Sequence, residues 1–459
     1  MSSAVESEFF PVRVRIYDVP DTETVTGLAP QGEATEFPDV ITFSYYETLY
    51  DPFVSATVTL FDSTGVFEEL YDNKGIRPLC PVEVLFIDPL ESVSDSGREV
   101  KSRDFSGDNC FFVKRISDQI VDRQKKMYTL ELTTKDALAS LATTIKRSWP
   151  ADSSTGIDYN TVISDILSDY ISTAKDTSEI TTEMSESVSK IPGHNRRPYE
   201  IINDSCSKAT PKASQGASGQ EENRPAGYMF WETFGKYNFR SLYKLMTELQ
   251  NVGEERKYKS VPVTVSDASD EEKVLNIISY VHSSNAMESD VYEQIMSGAR
   301  TKRVKMLFDT SLNSFKKIES GVPEPLKNSE TSAPVDVAFM PVTYLSETEY
   351  MVQYYNSSDN GTLDNEPTNP EHTSINYGAL LEAIRRNTST IKIPGHLGLQ
   401  AGDHIIVNFP NPQGIGGLTS NVPTSNKYSG FYLITKLRHY TEDIVHVYTE
   451  LEICKTLTQ

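Results

Sequence analysis

The fold predicted from the sequence is mainly β with α+β insertions: two homologous antiparallel β-barrels with further domains at their periphery. Three observations carry this. First, blocks of alternating apolar and polar residues occur in the same order twice. Leu79 to Asp88, Cys110 to Ile116 and Tyr128 to Leu132 lie early; Gly402 to Val407, Phe431 to Ile434 and Tyr448 to Ile453 lie near the end. The last two blocks of each set flank a polar turn, as in a hairpin. Identities between the sets are few, and unrelated hairpins would share some of this pattern. The matched order and spacing favour one β-unit present twice. Second, 24 Tyr and 19 Phe in 459 residues suit β structure. Third, helical spacing is concentrated in the middle of the chain.

Residues 9–145 read as strands. Phe10 to Tyr17 alternates, and Ile41 to Phe61 is an aromatic and β-branched run broken at Asp51-Pro52, where proline removes a ladder donor. Asp62 to Gly65 reads as a turn and the polar stretch 91–108 as a surface loop. Ile163, Ile166, Leu167, Tyr170 and Ile171 predict a helix with Asn160 as its cap. The Ser/Thr/Glu-rich stretch 175–190 reads as mobile. Pro198 suits the first turn of a second helix carrying Tyr199, Ile201, Ile202 and Cys206. Residues 208–226 hold no large apolar side chain and read as an exposed loop.

A strand from Gly227 to Thr233 turns at Gly235-Lys236 and returns through Tyr237 to Arg240; a short helix follows from Leu242 to Leu249. Residues 258–345 mix strands with polar connections, and 356–375 are loop. Residues 376–388 are a short helix or an extended strand, and 390–455 hold the second β-unit. The expected division is therefore a first barrel at 1–145 and a peripheral mixed, helical domain with an exposed loop at 146–226. The second barrel takes 227–257 and 376–455, and 258–375 is an inserted peripheral domain.

Composition narrows the function. A net charge of −22 repels phosphate and opposes stable binding to nucleic acid or to an anionic membrane. Cys80, Cys110, Cys206 and Cys454 form no CxxC pair and read as buried thiols. The start Met1-Ser2-Ser3-Ala4-Val5-Glu6 has no apolar segment, and no stretch approaches 18 apolar residues. Synthesis in cytoplasm without stable membrane insertion is the expectation.

No catalytic, cofactor-binding or metal-binding constellation is visible: GxSxG, Walker and HExxH patterns are all absent. His439 and His446 lie in or beside the final hairpin, where structural histidines outweigh a metal pair. Gly414-Ile415-Gly416-Gly417 precedes no helix and reads as a hairpin loop, not a phosphate cradle. Phe230 and Trp231 offer a sugar-stacking surface, against a structural role at adjacent strand positions. The basic clusters Arg300 to Lys305 and Lys316-Lys317 are either a solvated face or a docking patch for an acidic neighbour.

Three segments resemble phage tail hubs. Lys190 to Ile202, with Pro192 and Pro198, is similar to their Ile-Pro … Pro-Phe … Ile helix entry. Tyr228-Met229-Phe230-Trp231-Glu232-Thr233 followed by Tyr237-Asn238-Phe239-Arg240-Ser241-Leu242 is similar to a hub hairpin. Gly402-Asp403, then Ser429-Gly430-Phe431-Tyr432-Leu433-Ile434 and His439, is similar to the hub C-terminal end. The resemblance is to the baseplate hubs of contractile-tailed, T-even-type bacteriophages, a family that extends to late-control proteins and the base of type VI secretion spikes. It covers most of the chain; loops 208–226 and 356–375 have no counterpart.

The resemblance implies structural roles for Pro192, Pro198, Phe230, Glu232, Thr233, Phe239, Arg240, Gly402, Asp403, Gly430, Tyr432 and His439. It implies a homotrimer whose two barrels per chain serve as tube domains of a pseudo-sixfold ring. That ring joins a sixfold tail tube, or its initiator proteins, to a trimeric central spike, with inner baseplate proteins around it. It implies no cofactor and a virion location, with DNA passing through the channel without stable binding. The competing readings are a glycan-binding virion adhesin, which needs aromatics on loops, and a cell-wall hydrolase, which needs a carboxylate or zinc motif.

Overall fold

The computed structural model describes residues 11–22, 24–37, 39–62, 67, 75–87, 102–122, 125–150, 156–188, 190–212, 227–249, 252–253, 256–260, 276–282, 301–309, 314–319, 346–355, 381, 384–385, 388–409, 428–442 and 446–456. The chain is mainly β, and among the described residues fourteen strands join one sheet.

The first half of that sheet holds β1 (Val12–Ile16), β2 (Thr35–Phe37), β3 (Val40–Thr48), β4 (Ser55–Asp62), β5 (Pro81–Ile87), β6 (Ser102–Phe105), β7 (Phe111–Asp122) and β8 (Lys125–Thr134). The neighbour order is β2-β1-β5-β7-β8-β4-β3. The segment containing β2 and β3 closes this order into a ring. Its start pairs with β1 (Val14↔Phe37), and its continuation pairs with β4 (Val40↔Leu60). Period-two patterning drives the closure: in β4 every second residue, Ala56, Val58, Leu60 and Asp62, is buried. These positions meet Val14, Phe43, Tyr45, Val84, Phe86, Phe105 and Leu130 in one core. β6 lies within 91–108, expected to be loop: Ser102 and Asp104 face out, while Arg103 and Phe105 face in.

The middle region has a separate core. The pairs β9 (Trp149–Pro150) with β12 (Lys190–Ile191), and β10 (Ile157–Asp158) with β11 (Ser187–Val188), frame a helix at Tyr159–Asp165 that continues as a π turn through Ile171. Asp158 caps that helix, accepting from the Thr161 N–H at 2.7 Å. Asn160, the expected cap, is instead buried and donates to the carbonyls of Ile180 and Glu183 at 2.5 and 2.8 Å. These bonds, and Ile180 in the core, hold down much of the stretch expected to be mobile. The helix Pro198–Lys208 buries Ile201, Ile202 and Cys206, as its spacing predicts.

β13 (Tyr228–Thr233) and β14 (Lys236–Ser241) form a hairpin that is a two-stranded sheet of its own, followed by the helix Leu242–Thr247. Its assignment to the second barrel is corrected by this pairing. Both of its faces are covered: Tyr228, Phe230, Tyr237 and Phe239 enter the middle core, while Met229 and Trp231 pack with Leu242, Leu245 and Leu433. A strand buried on both faces reads as a continuous apolar run, which conceals the sheet it joins.

The second half of the large sheet holds β15 (Lys257–Lys259) and β16 (Ser279–His282). A separate three-stranded sheet follows, made of β17 (Thr301–Asp309), β18 (Ser314–Glu319) and β19 (Ser346–Tyr355). β20 (Thr388–Pro394), β21 (His404–Asn408), β22 (Gly430–Thr441) and β23 (Val447–Lys455) complete the large sheet. The pairs β15–β21, β21–β22, β22–β23, β23–β20 and β20–β16 close into a second ring through the bridge Lys259↔Asn276. Its core contains Tyr258, Ile391, Ile393, Ile405, Val407, Ile434, Leu451 and Ile453. Thus β15 and β16, not the hairpin, complete the second ring. Residues 213–226, 356–375 and Gly414 to Gly417 lie outside the described residues.

The repeated blocks pair alike. β7 meets β8 as Phe112↔Thr133 and Val113↔Leu132, then shifts register, then resumes as Arg115↔Glu131. β22 meets β23 as Leu433↔Cys454 and Ile434↔Ile453, shifts at the same place, and resumes as Lys436↔Glu452. Both resuming pairs are ion pairs, at 2.6 and 2.8 Å. The next neighbour, β4 or β20, is antiparallel in both rings. The rings differ on the other side, where β1 runs antiparallel to β5 but β15 parallel to β21. β22 also fuses the rings: past its bulge, Lys436–Tyr440 pairs with Thr48–Ser44 of β3.

Candidate functional site

At the fusion of the two rings lies a buried ion pair. In β3, Phe43, Tyr45 and Glu47 share the inward parity of one strand, so Glu47 enters the core. In β6, Arg103 shares parity with Phe105 and is 1% exposed. Arg103 donates to Glu47 Oε1 at 2.7 Å and to the carbonyls of Leu397 and Leu399 at 2.9 and 2.7 Å. Its guanidinium lies 5.2 Å from the Tyr45 ring centre and 5.4 Å from that of Phe234. Glu47 also accepts from the Tyr45 hydroxyl (2.9 Å), the Phe234 N–H (3.2 Å) and the Ala401 N–H (2.8 Å). One pair therefore binds the first ring, the β20–β21 loop of the second ring and the β13–β14 turn. With its hydrogen bonds this well satisfied, a buried pair can specify a docking geometry.

The same loop is pinned twice more. Trp231 Nε1 donates to the Ala401 carbonyl at 2.9 Å. Gly402 has φ +93°, and a Cβ there would lie 2.6 Å from Trp231 Cζ2. Glycine is required at this approach. Gly402→Ala is expected to lose about 1–3 kcal/mol from backbone strain alone and to shift Trp231 fluorescence. An unchanged denaturant midpoint and emission spectrum would refute the contact. Asp403 accepts from the Gln400 N–H at 3.0 Å and faces Arg256 at 3.4 Å; burial pushes its carboxyl up.

A second buried charge cluster anchors the hairpin. Lys175 lies 2.5 Å from Glu232 and 3.5 Å from Asp136. Asp136 accepts from the Tyr237 and Thr173 hydroxyls at 2.7 and 2.6 Å, and Glu232 accepts from the Val54 N–H of the first ring at 3.2 Å. Burial pushes Glu232 up to about 7, while Lys175 pulls it down. For Lys175, burial favours the neutral amine but the two carboxylates outweigh it and raise its pKa.

Other motif positions make contacts of their own. Pro198 opens its helix, and the Pro192 carbonyl accepts from Arg196 at 3.0 Å. Phe230 stacks on Tyr237 and Phe239 on Tyr228. Thr233 accepts from Asn238 at 3.2 Å, and Arg240 pairs with Glu179 at 2.7 Å. Gly430 opens β22 at φ +140°, and the Tyr432 hydroxyl donates to the Tyr428 carbonyl. Phe230 and Trp231 are both buried, so neither offers a ring to a sugar.

His439 is fully buried, with Nδ1 2.9 Å from Thr449 Oγ1 and Nε2 3.3 Å from the Leu399 carbonyl. His446 stacks on Tyr448. Among the described residues no group of three or more His, Cys, Asp or Glu is arranged to hold a metal, and no helix is long and apolar enough to cross a membrane. The four cysteines are buried and free.

Burial, helped by Arg103, depresses the His439 pKa well below its ordinary value. An unfolded chain then binds the proton first, so this contribution is present above about 6.5 and is lost as pH falls below it. Glu232 acts oppositely between its ordinary range and about 7. The difference between the melting-temperature profiles of wild type and His439→Gln isolates the histidine. The variant's curve should fall less from pH 7 to pH 5; parallel curves would contradict the assignment.

Among solved structures, the chain is similar to the 43 kDa tail protein of prophage MuSo2 from Shewanella oneidensis, with TM-score 0.51 and 9% identity over 97% of this chain and 98% of that one. It is also similar to a tail protein of Neisseria meningitidis, with TM-score 0.46 and 9% identity over 97% and 96% of the two chains. Prophage tail protein gp18 of Listeria monocytogenes gives TM-score 0.43 and 8% identity over 96% and 94%. Neither a family model nor a curated protein matches the sequence. The first likeness spans both chains nearly whole, and the fold is that of a phage tail protein. The mainly β fold expected from the sequence is thus the fold of a known tail protein.

Proposed function

We propose that this chain is the structural baseplate hub of a contractile phage tail. Three copies form a pseudo-sixfold ring that joins the sixfold tail tube, or its initiator proteins, to a threefold cell-puncturing spike. Inner baseplate proteins surround it in the virion. The observation that supports this best is the presence of two strand rings in one chain with the same register shift at the same place, fused edge to edge. Such a chain, repeated three times, presents six similar modules to one neighbour and true threefold symmetry to the other. Its role is mechanical, without catalysis or a cofactor. Three copies carry a net charge of −66 (three times −22), which opposes counterion-driven DNA binding, so DNA slides through the channel.

Mass photometry of the purified protein, alone and with its spike, tests the stoichiometry. The expected hub species is three times 51.4 kDa, about 154 kDa. A hub that stays monomeric even with the spike would end this reading.

A further inference from the structure

The junction inside the chain predicts the junction between chains. Inside the chain, the edge of β3 pairs with the part of β22 that follows its bulge. The counterpart of β22 is β7, which carries the same bulge after Val113. The counterpart of β3 is β16: β3 borders β4 as Ser44↔Thr57, and β16 borders β20 as Val281↔Thr390. Thr57 and Thr390 are equivalent because they face Glu131 and Glu452, the acids of the two matched ion pairs.

Among the described residues, no strand borders either counterpart edge. β5 reaches β7 only at Phe111 and Phe112, and past Val113 no described strand lies on that edge. Among the described strands β16 is the last of the large sheet, with Val281 66% and Ile278 48% exposed. Open edges and exposed apolar residues are liabilities that an assembled protein covers.

We infer that the outer edge of β7 in one copy pairs antiparallel with the outer edge of β16 in the next, repeating the β22–β3 junction. The register follows. Ser44 lies opposite Tyr440 inside the chain, and its counterpart is Val281. Tyr440 faces Tyr448, three residues before Leu451; Met127, three before the equivalent Leu130, faces Ile120. Counting on the partner strand absorbs the second bulge of β7, between Ile116 and Asp118. Ile120 of one copy therefore lies opposite Val281 of the next, and Gln119 opposite His282. This assignment rests on the ring proposed above and names the surfaces that close it.

The test is an Ile120→Cys/Val281→Cys double variant, oxidised and run without reductant. Opposed Cα atoms across an antiparallel pair lie about 4.5–5.5 Å apart, within disulfide range. The native cysteines are buried and do not compete. The double variant should give covalent dimers and trimers; a mixture of the two single variants should give only heterodimers. A covalent dimer of Val281→Cys alone would show twofold edge pairing and overturn the assignment. A 154 kDa species that does not cross-link would overturn it too, yet leave the ring standing; a monomer by mass would end both. Hydrogen exchange on the unmodified trimer gives a second reading. The outward amides of 115–122 and 279–282 should be protected, and fast exchange there in a trimer would refute the pairing.

Discussion

Replacing Arg103 by methionine is expected to destabilise the protein by about 3–5 kcal/mol, because it strands a buried carboxylate. Glu47 would keep its N–H and hydroxyl donors but lose its counter-charge, and the carbonyls of Leu397 and Leu399 would lose theirs. The β20–β21 loop would come free of the first ring, so the loss should appear as a lower denaturant midpoint and faster proteolysis near 397–403. The double variant Arg103→Met/Glu47→Met should recover much of it, since removing both charges removes the desolvation cost. If Arg103→Met alone melts like wild type, the pair does not hold the seam.

Lys175→Met should lose a similar amount, and its deficit should depend on pH. Without the ammonium, Glu232 and Asp136 are left close together in a buried site. Burial already pushes Glu232 up to about 7, and loss of its partner cation pushes it further. A raised carboxyl contributes stability that is present below its unfolded pKa and is lost as pH rises through the folded one. The deficit relative to wild type should therefore be largest near pH 8 and shrink toward pH 5. A pH-independent deficit would mean that lost packing, not charge, is responsible.

What could be read from sequence follows from the range of each signal. The β7–β8 and β22–β23 hairpins were legible because strand periodicity is local: Phe111, Val113, Leu130 and Leu132 alternate as Tyr432, Ile434, Leu451 and Ile453 do. The hairpin at 228–241 was legible as a hairpin, but its continuous apolar run hid that both faces are covered. β6 was missed because four residues in a polar stretch carry little periodicity, although Arg103 shares parity with Phe105.

The seam itself left less trace. Arg103 donates to two backbone carbonyls nearly three hundred positions away, and a carbonyl acceptor constrains no residue type. Glu232 and His439 stood out because their segments resemble motifs of phage tail hubs. Lys175, the partner of Glu232, sits in a Ser/Thr/Glu-rich stretch that reads as mobile. The strand β16 was hidden because its partner, β20, lies more than a hundred positions further along the chain.

The most direct test of the central claim is an electron cryomicroscopy reconstruction of the isolated hub, or of the hub with its spike, computed without imposed symmetry. Three chains, six barrel densities around an open channel and true threefold symmetry are the predicted result. A monomer, a true sixfold assembly, or a channel filled by the chain's own core would contradict the account.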